Sequence, residues 1–229
     1  MIEFQDASVV APGTNVRILE PTTLTLTEHR VAVIGANGSG KSTLARLING
    51  LALPATGAVR VFDRDTRRDA AAVRRDVGFL FTDPSAQLIM PTAAEDIALS
   101  LRRTVRGKDA RAAAAAEALE SIGLGGKGGV SVHALSGGQR QLLALAGVLA
   151  VAPRIVVADE PTTLLDLRWS AHVDALLGSL DQMLVEVTHD LDAAARADRV
   201  LVVDAGRVVA DGKPAEAIGA YRELMRGTP

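Results

Sequence analysis

The sequence predicts an α/β fold, with a mostly parallel core sheet, an antiparallel β element and a helical subdomain. Three observations carry this. Continuous apolar, β-branched runs at 31–34, 77–81, 155–158, 184–187 and 200–203 suit strands covered on both faces. Helical patterns separate the runs, as in parallel sheets whose strands are joined by crossovers. Near the C-terminus, residues 200–204 and 207–210 flank Ala205-Gly206 in the manner of a hairpin.

The elements follow in chain order. The N-terminal MIEFQDASVV alternates apolar and polar residues like a strand and lacks the charged and apolar regions of a signal peptide. Leu44, Leu47, Ile48 and Leu51 repeat at helical spacing, and Gly50 is placed to end that helix. Residues 110–119 are alanine-rich and carry Arg111 and Glu117, which predicts an exposed helix. A glycine-rich loop follows at 123–129. No internal repeat or long linker is visible. One domain over residues 1–229 is expected, its helical subdomain at approximately 84–153.

Composition narrows the function. Apolar residues make up 48% of the 229, and aromatics only 3%, so the core must be built from Ala, Val, Leu and Ile. The formal net charge of -2, with both signs interspersed, argues against a dedicated nucleic-acid face, and no nucleic-acid partner is expected. The absence of cysteine excludes disulfides and thiolate chemistry. The longest apolar stretch, 142–158, is split by Pro153 and Arg154 into pieces too short for a bilayer core of about 30 Å. Action at a membrane is therefore expected only through partners.

The segment Gly35, Ala36, Asn37, Gly38, Ser39, Gly40, Lys41, Ser42 and Thr43 matches G-x-x-x-x-G-K-[ST], after a strand and before a helix. Glycines let the backbone wrap so that successive N–H groups face phosphate oxygens, and the helix start adds a positive dipole end. ATP and Mg²⁺ are the cofactors this pattern predicts. Lys41 is expected to reach the β- and γ-phosphates and Ser42 to bind Mg²⁺. Residues 155–158 form an apolar strand that ends in Asp159 and Glu160. Beside a phosphate loop, Asp159 is suited to hold Mg²⁺ through a water and Glu160 to polarise the attacking water.

Leu135-Ser136-Gly137-Gly138-Gln139, followed by Arg140-Gln141, places a serine and two glycines at a helix start, a second anion site. This run resembles the signature of ABC transporter ATPases, and the resemblance extends over nearly the whole chain. It implies a P-loop NTPase fold of ABC type. It also implies a head-to-tail dimer in which Ser136, Gly137, Gly138 and Gln139 of one subunit close over ATP held by the other. Asp166 stands where the family has its D-loop aspartate. His189 stands where it has the switch histidine that contacts the γ-phosphate, and is read with Glu160 as catalytic. A homodimer is favoured, and a heterodimer stays open.

Two positions depart from the family. Its Q-loop glutamine would fall at Thr82, whose shorter side chain puts contact with Mg²⁺ or the water in question. The aromatic that stacks on adenine would fall near Ala11, where none stands. An apolar residue such as Val16 is the available substitute.

Asp83-Pro84-Ser85-Ala86-Gln87-Leu88, Pro91-Thr92 and Glu95-Asp96-Ile97-Ala98 resemble the energy-coupling factor branch. There the segment after the Q-loop docks a transmembrane coupling protein, here expected near residues 83–98, while a substrate-capture membrane protein is engaged indirectly. Residues 45–51, 65–69 and 161–168 look most like the ATPase of biotin uptake systems, with cobalt, nickel or another vitamin as alternatives. The implied location is peripheral, on the cytoplasmic face of the cell membrane. Two other classes fit less well. A soluble ABC protein acting on nucleic acid would need two ATPase domains or long arms, and a P-loop kinase would not need residues 135–139.

Overall fold

The structure, a computed structural model, describes residues 1–227. In chain order the strands and helices are β1 (Ile2–Val10), β2 (Arg17–Leu26), β3 (Arg30–Ile34), α1 (Lys41–Ile48), β4 (Thr56–Val61), β5 (Arg64–Asp65), α2 (Ala70–Asp76), β6 (Val77–Leu80) and α3 (Ala93–Ser100). There follow α4 (Lys108–Ser121), α5 (Gly137–Leu149), β7 (Ile155–Asp159), α6 (Leu167–Gly178), β8 (Met183–Val187), α7 (Leu191–Ala195), β9 (Arg199–Asp204), β10 (Arg207–Gly212) and α8 (Pro214–Gly227). The chain divides into two units. One holds residues 1–77, 155–160 and 181 onward, and the other 78–154 and 161–180. The second takes in the expected 84–153, begins earlier and adds a later segment.

In the first unit, alternation shapes the antiparallel element. Ile2, Phe4, Ala7 and Val9 of β1 are buried, and a bulge at Asp6 (φ +51°) shifts the register between Phe4 and Ala7. β1 pairs antiparallel with β2 and β4, in the order β2-β1-β4-β5. The other sheet runs β10-β9-β3-β8-β7. β3 lies between β8 and β9, and β8 between β3 and β7, all parallel. Val31, Ala32, Val33 and Ile34 are buried, and so is all of β7, as continuous apolar runs demand of strands covered on both faces. β9 and β10 form the expected hairpin, with Ala205 and Gly206 both at positive φ, the geometry that matches strand twist. α1 ends one residue before Asn49, and Gly50 (φ +69°) turns the chain away. Leu51, read as part of that helix, instead lies beyond it and is 46% exposed.

The second unit is helical around buried Ile97, Leu101, Ala115, Leu119, Leu142 and Leu145. α3 packs on α4 and α5, and α5 on α6. Local caps set these helices. Thr92 and Glu95 form a capping box on α3. Buried Asp96 accepts the N–H groups of Ile89 and Met90 at 2.9 Å each, tying the segment before α3 to the helix. Among the described residues no helix is long and apolar enough to cross a membrane.

Candidate functional site

In the first unit, the carboxyl ends of β3, β7 and β8 bring the predicted residues together, the place where open α/β sheets bind ligands. β3 delivers the chain into Gly35. A Cβ there would stand 2.0 Å from the carbonyl oxygen of Val203, so only glycine lets the loop pass this close to β9. Gly40, at φ +107°, lies against Ile18 in the same way, with 2.9 Å to its carbonyl oxygen. The Gly206 N–H donates to the Ser39 carbonyl at 2.8 Å, so the β9–β10 turn clamps the loop. Residues 37–43, Ile18 and Glu160 line a cavity of 290 Å³.

Lys41 is 4% exposed, and its Nζ donates to the Ala36 carbonyl at 2.8 Å. Burial holds its ammonium below the usual lysine range, although the carboxylates of Glu160 and Asp159 pull the other way. The Ser39 hydroxyl is buried and has no hydrogen-bond partner among the described residues, an oxygen and proton available to a ligand in the loop. The Ser42 hydroxyl donates to Asp159 Oδ1 at 2.7 Å. His189 Nε2 lies 2.8 Å from Glu160 Oε1, the ring N–H facing the carboxylate. Glu160 has φ +51°, and its N–H is held by the Val187 carbonyl at 2.9 Å. A carboxylate is thus held in an unusual backbone conformation beside a histidine, the kind of strain that clusters at reactive sites.

One residue of this site was not singled out in the sequence. Arg46 Nη2 stands 3.4 Å from Asp159 Oδ2. Ser42 and Arg46 are four apart on α1 and so share a helix face, which is the signal that could have found it.

The remaining predicted residues, apart from Val16, lie in the second unit. Ser136 caps α5: its hydroxyl accepts the Gln139 N–H at 3.3 Å, and Gln139 Oε1 accepts the Ser136 N–H at 3.1 Å. A Cβ on Gly137 would meet nothing within 4 Å, whereas one on Gly138 would stand 2.2 Å from the Trp169 ring. Asp166 caps α6, its Oδ1 accepting the Trp169 N–H at 2.9 Å. Thr82 is half-buried and follows Phe81, whose carbonyl accepts from buried Gln141 Nε2 at 3.1 Å. Gln87 accepts the Phe81 N–H at 3.5 Å and donates to the Ala144 carbonyl at 3.4 Å. Val16 is 65% exposed just before β2.

Residues 19–163 match the ABC transporter family, a span that includes the phosphate loop, the signature and the acidic strand. The chain belongs to the ABC transporter family. Its sequence is 45% identical to the biotin transport ATP-binding protein BioM of Rhizobium etli, over 97% of this chain and 98% of that one. It is 35% identical to the energy-coupling factor transporter ATP-binding protein EcfA1 of Ligilactobacillus salivarius, over 98% of this chain and 82% of that one. Among solved structures it is similar to the dimeric ATP-binding cassette MJ0796 bound to ADP and Pi, with a TM-score of 0.81 and 29% identity over 93% of this chain and 99% of that one. As an ABC transporter ATPase, the chain binds and hydrolyses ATP to drive transport.

Proposed function

We propose that this ABC ATPase powers an energy-coupling factor importer whose cargo is biotin, from the cytoplasmic face of the cell membrane. The observation that carries the proposal is the 45% identity to BioM, which runs through 97% of the chain rather than through the ATP-binding motifs alone. The likeness to EcfA1 supports the energy-coupling factor branch without naming a cargo.

On this reading the first unit holds the nucleotide. The N–H groups of residues 35–43 and the Lys41 ammonium take the phosphates, and the Ser39 hydroxyl finds there the partner it lacks. Glu160 orients the attacking water and accepts its proton, and His189 fixes that carboxylate and reaches the γ-phosphate. Val16 substitutes for the adenine-stacking aromatic. The donor set fits a small hard cation. The Ser42 hydroxyl and the Asp159 carboxylate are oxygen ligands already in contact. Among the described residues no group of three or more His, Cys, Asp or Glu is placed to hold a metal, so the other ligands must come from the nucleotide and water, as Mg²⁺ favours. Mg²⁺ held by Ser42 and Asp159 would neutralise charge on the phosphates.

The second unit supplies the signature. A second copy, packed head-to-tail, brings Ser136, Gly137, Gly138 and Gln139 with Asp166 over the bound ATP. Residues 83–98 dock a transmembrane coupling protein, which in turn engages the substrate-capture protein.

Deleting the gene in its host and measuring uptake of radiolabelled biotin, with radioactive cobalt and nickel ions in parallel, tests the cargo. Loss of biotin uptake alone is expected. Loss of metal uptake with biotin uptake intact overturns the cargo. Copurification of the ATPase with an integral membrane protein through residues 83–98 tests the docking, and a charge-reversed 83–98 segment that still copurifies rejects it.

A further inference from the structure

Asp159 carries more than its assigned role explains. Its side chain is 2% exposed, and both carboxylate oxygens are engaged by side chains of one helix. Ser42 takes Oδ1 at 2.7 Å, and Arg46 approaches Oδ2 at 3.4 Å from a side chain that is 48% exposed. A buried carboxylate without a counter-charge loses its hydration uncompensated, so the pairing has a clear origin. It also has a consequence. The oxygen atoms proposed to serve the metal, directly or through a water, are already committed to a hydroxyl and a guanidinium. A divalent cation arriving at Ser42 and Asp159 must meet the positive charge of Arg46 nearby. Guanidinium cannot be deprotonated in this pH range, so Arg46 can yield only by swinging outward, which its half-exposed side chain permits.

We propose that Arg46 is a positioning residue that stands in for the metal: it neutralises Asp159 while no metal–nucleotide is bound, and it competes with the incoming cation. Arg46 thereby sets the metal concentration at which the site fills. The proposal rests on the reading of Asp159 and Ser42 as the metal-binding pair. Repulsion between a divalent cation and a neighbouring monovalent one that can move outward into solvent corresponds to about a tenfold change in affinity.

The test uses the full chain with ADP and Mn²⁺, reading free Mn²⁺ by its electron paramagnetic resonance signal. Arg46→Met is expected to bind Mn²⁺ about tenfold more tightly than the parent, and Arg46→Lys, which keeps the charge, within about twofold of it. In chelator, Arg46→Met is expected to melt at a lower temperature than the parent, and Mn²⁺ with ADP is expected to close that gap. Unchanged or weaker Mn²⁺ binding by Arg46→Met overturns the proposal, and so does an unchanged melting temperature in chelator. Asp159→Asn separates the two levels. If it binds Mn²⁺ as the parent does, the metal-site reading itself fails, whatever the Arg46 variants show.

Discussion

Two of the glycine-bearing turns that open helices, at 35–43 and at 136–139, are built on opposite principles. The loop at 35–43 is closed on itself. Gly35 and Gly40 are pressed against backbone carbonyls, Lys41 is buried, and the carboxylates of Asp159 and Glu160 stand within the same unit. The turn at 136–139 is capped by its own serine and glutamine, and it leaves Gly137 open to space on the side where a Cβ would point. The first turn has charge gathered for chemistry. The second has a satisfied cap and an unobstructed backbone, which is what a surface approaching another subunit's nucleotide needs.

The largest effect that could break this contrast is at Glu160. Glu160→Gln keeps the size of the side chain and removes the base, so hydrolysis is expected to fall about 10²- to 10⁴-fold while nucleotide binding persists. Phosphate release with and without the substitution measures this. Retained turnover would move the chemistry away from the first turn.

The glycine pair of the second turn sharpens the contrast. Gly138→Ala drives a methyl into the Trp169 ring and is expected to cost about 1–3 kcal/mol, read as a lower denaturation midpoint. Gly137→Ala meets nothing and is expected to leave stability within about 1 kcal/mol, since alanine favours the helix. Hydrolysis should nevertheless drop for Gly137→Ala if that turn closes on a partner's nucleotide. Full activity would leave the open side without a role.

Much of this is legible in the sequence. The phosphate loop is readable because its backbone path tolerates few residues at Gly35 and Gly40, and the β9–β10 turn because a glycine, Gly206, stands between two apolar runs where the chain must take a positive φ. What escaped depends on pairings across sequence distance. Arg46 with Asp159 joins α1 to β7, and Gly138 with Trp169 joins α5 to α6. Neither partner advertises the other. Leu51 misled because apolar spacing continued past a glycine that had already ended the helix. Thr82 could be located as a departure, yet the grip of Gln141 on the preceding Phe81 carbonyl could not be foreseen from spacing. That grip fixes the backbone on one side of Thr82. A longer side chain there is expected to alter turnover by several-fold and ATP affinity by less, and Thr82→Gln with turnover equal to the parent's would reject this. A binding curve with a fluorescent ATP analogue beside a phosphate-release assay separates the two quantities.

The smallest expected effect is one of sign. Burial depresses the Lys41 pKa in the folded chain more than the nearby carboxylates raise it, so the charged form is less stable folded than unfolded. Below the folded pKa this penalty is present in full. It fades as pH rises through the folded pKa toward the unfolded value, because across that window the unfolded chain binds more protons. Lys41→Met, in nucleotide-free protein at neutral pH, is therefore expected to raise the melting temperature by a few degrees at most and to flatten its rise at alkaline pH, while abolishing ATP binding. Ser136→Ala should do the reverse, lowering stability by about 1 kcal/mol through loss of the cap. The opposite signs would mark the first turn as one held in a costly state for its ligand and the second as one held in a relaxed state by its own side chains. A melting temperature lowered by Lys41→Met would mean that the hydrogen bond to Ala36 and the two carboxylates outweigh burial, and the first turn would then be as self-satisfied as the second.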